Sequence, residues 1–532
     1  MSPHRRHRSA DRPRQRSLRL TYQVADALTE VFLYSVVIFT PWAFGTTQPW
    51  SIRVMNGLGY LLGALLLTKG LIRWLGRYQP ARWDRQLWNG QSPSSQTRFV
   101  HPGLVRHLTW VMGGLTVLIL AYCLTSALNA RATYLPASHS LSYHECISWL
   151  PHSYDRISTW NAFWMYLGWA LTFWAARDWL LGLTTREESE DRGQRTEDGG
   201  QRTEVRDQRS EDRGNHGARY ALPDRLRRLL WVICINGSLL AAEGIIQRLI
   251  GTNKLLGLVI PRINRQAIAQ FGPYAYRTNA AQYLNLIWPM SVALVWIQAR
   301  AAKRARQEGL RPATHSVAWL GLGSILMAVA PFVSSSRGGA IIALALLVFM
   351  MILLSVADRK HHWREQLGWL LSTFIIIQLV IILGWDNLML RFETLLVDNL
   401  SGRPPIYENA HRMAQDFPWL GAGPDSFAAL YQFYRVSYKQ EWAAYAHNDW
   451  LEFLITHGRI GFSLMILLLI SVPLKWLANS RPVTHWLLPA AMLAGMGGCL
   501  LHARYDFPFQ VPSIVLLFII ICAALSAIGR SR

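Results

Sequence analysis

A histidine followed by a small amide, His447 and Asn448, opens the run YAHNDWLEFLITHGRIGF, which closes on Gly458 and Gly461 just before an uninterrupted apolar span. Imidazole changes charge nearest neutral pH, so a histidine held where an aqueous loop re-enters an apolar segment is a candidate general base or ligand. His411 and His457 compete with it, but neither stands in so regular a local pattern. The cysteines Cys123, Cys146, Cys234, Cys499 and Cys522 are scattered and have no metal-ligand spacing. With no His, Cys, Asp and Glu set at coordinating intervals either, no metal site and no cofactor are expected.

Cationic chemistry is the second kind available. In FGPYAYRTNAAQYLNLIWP, Arg277 and Asn279 stand just before an apolar helix, Asn279 being either a polar contact or a helix cap. The loop ahead of them holds Lys254, Arg262 and Arg265 and no acidic residue, and snorkelling to lipid headgroups is the ordinary role of such cations. In SSSRGGAIIALALL, Arg337 falls at a helix start beside Gly338 and Gly339. Free amides at a helix N-terminus plus a guanidinium suit a phosphate, although a capped helix with a snorkelled arginine has the same spelling. A third arginine, Arg403, begins RPPIYENAHRMAQDFPWLGAG, where YENAHRMAQ reads as a short helix presenting Tyr407, Ala410 and Ala414, ended by Pro418 and a glycine turn.

Residues of this kind need a frame, and composition sets it. The chain has 532 residues, of which 51% are hydrophobic and 16% charged, with the apolar residues gathered in long blocks. The fold class is therefore all-α: a polytopic membrane bundle of about twelve helices of roughly twenty residues, the length that crosses a bilayer. The expected spans are 26–44, 53–73, 107–128, 158–181, 229–250, 280–298, 315–333, 338–356, 367–385, 459–477, 483–502 and 511–528. The formal net charge of +22 is not that of a nucleic-acid binder, because the basic residues crowd alternate loops instead of one soluble face. That alternation follows the positive-inside rule. It places the basic 1–25 tail inside and the loop 386–458 outside, in a chain whose first span acts as a signal anchor. Between the N-terminal spans 26–181 and the region 229–528 lies a charged low-complexity tract, 182–228, expected to be a disordered cytoplasmic linker.

In their order, RTNAAQYL, SSSRGGA, SGRPPIYENA, DFPWLGAGPDSF, HNDWLEFLITHGRIG and HARYDFPFQVP resemble the O-antigen ligase and O-antigen polymerase family of membrane glycosyltransferases, over roughly 229–528. The sharpest element is a histidine, Asn/Ser/Gln, nine residues, Gly, two residues, then Gly/Thr/Tyr; His447, Asn448, Gly458 and Gly461 fit it. The resemblance implies an inverting, metal-independent transfer of an undecaprenyl-pyrophosphate-linked glycan to an acceptor hydroxyl, on a glycan or on lipid A-core, outside the cytoplasmic membrane. It implies His447 as general base, Arg277 and Arg337 on the pyrophosphate, and Arg403, Asn279 and Asn448 in substrate binding. Ligases, polymerases and protein oligosaccharyltransferases of the family share these residues. Outside enzymes, the rival is an inorganic-carbon or other solute transporter. Transporters place ionisable groups at mid-membrane, whereas here Glu243 is the main such group and a structural hydrogen bond is its expected role.

Overall fold

A computed structural model describes residues 4–84, 102–189, 222–309, 314–357, 403–436, 442–479 and 485–528, with scattered positions from 368 to 393. In chain order the helices are α1 (His4–Trp42), α2 (Pro49–Leu75), α3 (Pro102–Leu128), α4 (Arg156–Leu180), α5 (Asp224–Ile250), α6 (Arg277–Gln307), α7 (Thr314–Val333) and α8 (Arg337–Ala357). They continue with α9 (Arg403–Asp416), α10 (Phe427–Tyr431), α11 (Asp449–Ala478), α12 (Leu487–His502) and α13 (Pro512–Ala527). A small antiparallel hairpin, β1 (Ala132–Leu135) with β2 (Ser140–Tyr143), lies between α3 and α4. Among the described residues, eight helices are long and apolar enough to cross a membrane, and α12 and α13 are shorter apolar helices. The protein is an all-α polytopic membrane bundle.

The position of each helix follows from what its sequence can bury. The apolar window of α6 is 89% buried against 22% for that of α11, so α6 is the central post and α11 a peripheral span. A central helix can carry polar residues only if they are paired. Asn285 of α6 donates to the Gly339 carbonyl of α8 at 3.0 Å, and the Ser291 and Ser324 hydroxyls of α6 and α7 meet at 2.7 Å. A second core lies apart from the bundle: Ile406, Ala410 and Met413 of α9, Phe427 and Tyr431 of α10, and Leu451 and Ile455 of α11. The short helix expected in YENAHRMAQ is thus α9, with Ala410 fully buried, and it stops at Asp416 ahead of Phe417 and Pro418, where a residue before proline disfavours the helical backbone.

Three boundaries differ from the sequence expectation. The first helix runs back through the expected 1–25 tail to His4. The span expected at 459–477 starts at Asp449, because the HNDWLEFLITHG run is itself helical. Both edges of the 182–228 tract are ordered, since Glu187 accepts from the Thr184 and Asp224 amides, each at 2.8 Å; residues 190–221 lie outside the described residues. The expected span 367–385 is described only at scattered positions, which are helical. At the end of the bundle away from His447, Lys69 is completely buried between Asp26 at 3.2 Å and Asp178 at 3.0 Å. Arg73 and Arg82 also bind Asp178, and Arg225 binds Asp26, so α1, α2, α4 and α5 are tied by one ion network.

Candidate functional site

The residue run that carries His447 is built as a helix start stitched to a neighbouring turn. Asn448 caps α11 by accepting from the Leu451 amide at 3.3 Å, and Glu452 reaches back to the Ala446 amide at 2.7 Å. Asp449 is buried with its amide on the Ala503 carbonyl at 2.8 Å and its carboxylate on the Phe509 amide at 2.7 Å. Residues 446–452 and 503–509 are thereby locked together, and Asn448 is buried as a cap, turned to the helix amides.

What that stitching positions is the His447 ring. Its Nδ1 lies 3.2 Å from Asp506 Oδ1, leaving Nε2 for a substrate, and the ring stands edge-on to Phe507 with centroids 4.9 Å apart. The His447 backbone is left-handed, with φ of 51°, and its carbonyl accepts from the Tyr407 hydroxyl at 3.1 Å. Such a backbone in a residue other than glycine costs about 1–3 kcal/mol and gathers at functional sites.

Asp506 is the hub. Its side chain is 4% exposed, and its Oδ2 accepts from the Tyr276 hydroxyl at 3.3 Å and lies 3.7 Å from Arg403 Nη2. Burial pushes the carboxyl up, but the His447 hydrogen bond and the Arg403 charge outweigh it and hold the group below its ordinary value. Burial and the Asp506 charge push the Tyr276 hydroxyl up to about 12, so it remains a donor. Arg403 also donates to the Tyr505 carbonyl.

The two other arginines begin helices that start side by side. Arg277 is the first residue of α6 and Arg337 the first of α8, and Ser336 joins them by donating to the Thr278 hydroxyl at 3.2 Å. Tyr276, next to Arg277, reaches Asp506, and the His502 ring lies against the start of α8, where a Cβ on Gly338 would stand 2.6 Å from Nε2. The Asp506 amide in turn bonds the His502 carbonyl at 3.0 Å. His447, Arg277, Arg337 and Arg403 are therefore brought to one end of the bundle. Asn279 is not the α6 cap, which is Tyr276; among the described residues its buried side-chain oxygen has no hydrogen-bond partner.

Sequence reasoning passed over Asp506 and Arg248. The Asp506 signal was present in HARYDFPFQVP as the one acidic residue of that segment. Arg248 donates to the carbonyls of Ala267 at 3.1 Å, Ile268 at 3.3 Å, Gln270 at 3.0 Å and Ser334 at 3.1 Å. Arg277 donates to the same Ile268 carbonyl, so one guanidinium fixes both the arm before Arg277 and the turn before Arg337. The structural hydrogen bond expected of Glu243 is not seen at its Oε2, which among the described residues is buried without a partner, 2.9 Å from where a Cβ on Gly272 would stand.

Gly458 explains the spacing of the motif. There α11 breaks, with φ 59° and ψ −176°, and the freed amides of Arg459 and Ile460 bond the carbonyls of Pro418 and Trp419 at 3.0 and 3.2 Å. A Cβ at Gly458 would lie 2.3 Å from the Trp419 oxygen. This backbone is open to glycine almost alone, so Gly458→Ala should destabilise the protein by at least about 1–3 kcal/mol. A thermal unfolding midpoint in detergent equal to that of the unsubstituted protein would contradict this account of the break.

The class is then defined: a polytopic helical membrane protein in which a part-exposed histidine is paired with a buried aspartate at the end of the bundle where three arginines also lie. Residues 322–466 match the family model described as O-antigen ligase. The match contains Arg337, Arg403, His447 and Asn448, whereas Arg277, Asn279 and Asp506 lie outside it. No curated protein matches the chain. The family supports an activity of the ligase or polymerase type on glycans and lipid-linked substrates.

Proposed function

We propose that the protein transfers an undecaprenyl-pyrophosphate-linked glycan to an acceptor hydroxyl at the extracytoplasmic face of the inner membrane, as an O-antigen ligase. The observation that supports this reading is the His447–Asp506 pair with Arg403 beside it, at the end of the bundle where Arg277 and Arg337 begin their helices. With Nδ1 engaged by Asp506, neutral His447 takes the acceptor proton at Nε2 as the hydroxyl oxygen attacks the anomeric carbon from the face opposite the leaving group. The bond from that carbon to the pyrophosphate oxygen breaks, the electron pair leaves on the oxygen, and the anomeric configuration inverts. Arg277 and Arg337, at adjoining helix starts, take the growing charge of the lipid pyrophosphate, and Arg403 lends support from the Asp506 side.

Asp506 has two roles in this scheme. It fixes the imidazole tautomer that leaves Nε2 unprotonated, and it stabilises the imidazolium once the proton has moved. Charge stabilisation comes from guanidinium groups and helix amides, so the proposed transfer proceeds without a metal ion. Both the extracytoplasmic placing of 386–458 and the ligase assignment rest on the charge asymmetry of the loops and on the family.

Deletion of the gene tests the assignment. Loss of a ligase leaves long carrier-linked glycan in the membrane, whereas loss of a polymerase leaves single carrier-linked repeat units. Carrier-lipid analysis that finds neither species raised above the parent strain removes lipid-linked glycan as the substrate.

A further inference from the structure

The arm that leads to Arg277 has a surface unlike that of a soluble loop. Residues 251–276 hold no carboxylate, and Lys254, Arg262 and Arg265 are their cations up to Tyr276. Between those cations Leu258 is 75% exposed and Ile263 77%. The segment is nevertheless ordered. The Leu255 amide bonds the Val259 carbonyl at 2.8 Å and the Leu258 amide the Leu255 carbonyl at 2.9 Å, closing a turn whose left-handed Leu256 and Gly257 present Leu258 at the tip. Gln270 donates to the Asn264 carbonyl at 2.8 Å, holding the second half against the arm that Arg248 clamps.

Large exposed aliphatic side chains also stand at the end of α5 just before this turn, where Leu249 and Ile250 are 64% and 72% exposed. An ordered loop that keeps large aliphatic side chains outward, starts at the end of a membrane span and carries only positive charge matches the chemistry of an anionic bilayer surface. We propose that residues 254–265 form an interfacial anchor on the leaflet at the His447 end of the bundle, Leu258 and Ile263 reaching the acyl chains and Lys254, Arg262 and Arg265 meeting anionic phospholipid phosphates. Because the same arm ends at Arg277 and Tyr276, the anchor sets that arginine at the depth of the lipid headgroups. The placement rests on the fold, and its readout is independent of glycan transfer.

The test uses the full-length protein with its native cysteines replaced by serine, in nanodiscs of phosphatidylcholine with or without phosphatidylglycerol. An environment-sensitive nitrobenzoxadiazole label is attached at Leu258→Cys or Ile263→Cys, and at Glu408→Cys, on α9, as the aqueous reference. Labels on the anchor should emit to the blue of the reference and be quenched by nitroxide-bearing lipid at least about twofold more strongly. Phosphatidylglycerol should deepen that quenching, and Lys254→Glu with Arg262→Glu and Arg265→Glu should abolish the deepening. Emission and quenching equal to the reference at both sites would overturn the anchor. Quenching indifferent to phosphatidylglycerol would overturn the anionic partner, and label burial that appears only with dimers in detergent would assign the surface to a second copy instead. Should the triple variant fail to fold, the lipid comparison on the single-cysteine proteins still decides.

Discussion

His447→Ala should lower glycan transfer by roughly a hundredfold to ten-thousandfold, the usual contribution of a general base, with protein level and binding of the lipid-linked donor unchanged. The measurement is transfer by the purified protein in proteoliposomes under saturating donor. His447→Gln separates proton removal from positioning, since an amide keeps a hydrogen bond to the acceptor and cannot take its proton. An active Gln variant demotes His447 to acceptor placement, and full activity in both variants removes it from the mechanism. Asp506→Asn should lower transfer as well, because an amide can hold the imidazole in the wrong tautomer. The pH dependence carries a sign. The Asp506 carboxyl is held below its ordinary value, so its contacts stabilise the fold above the unfolded carboxylate pKa and are lost only as pH falls through the lower folded one. Acid loss of Asp506 support should therefore begin below the ordinary carboxylate range.

The second large effect belongs to the arginines. Arg337→Ala and Arg277→Ala should each remove about 3 kcal/mol of transition-state stabilisation, roughly a hundredfold in rate. Lysine keeps the charge but lacks the planar fork that grips two phosphate oxygens, so it should restore only part of the rate. Both sites have a structural duty: Arg277 bonds the Ile268 carbonyl, and Arg337 opens α8. Thermal unfolding measured alongside the rate separates the two duties, because a lysine variant with unaltered stability and a reduced rate reports on charge recognition. Full transfer by both folded alanine variants would falsify the pyrophosphate assignment.

The sequence carried a good deal of this. Runs of apolar residues long enough to cross a bilayer announced the bundle, since lipid leaves few other ways to satisfy a backbone. Arg337 was legible as a helix start because glycines follow a serine run, and α9 because Pro418 ends its pattern. Harder to see were features that depend on distant partners. Asp506 is one carboxylate in a short turn until His447, Tyr276 and Arg403 arrive from other parts of the chain. Arg248 is a basic residue in a last helical turn, and its four carbonyl partners are loop atoms that no periodicity marks. Asn448, to which the family resemblance gives a part in substrate binding, also caps α11, a contact that its place before an amphipathic run does not single out.

The break at Gly458 and the turn at 503–509 also bear on how such a protein can be recombined. The family match ends at residue 466, yet the carboxylate that orients His447 sits at 506 and the arm that sets Arg277 precedes 322. On the proposed assignment, a chimera that exchanges only the matched segment with a relative would import His447 without the native Asp506 beside it and leave Arg277 and Arg337 split between parents. The exchangeable unit therefore begins at α5, with its carbonyl clamp, and extends through the start of α13, so acceptor preference should travel with that whole block.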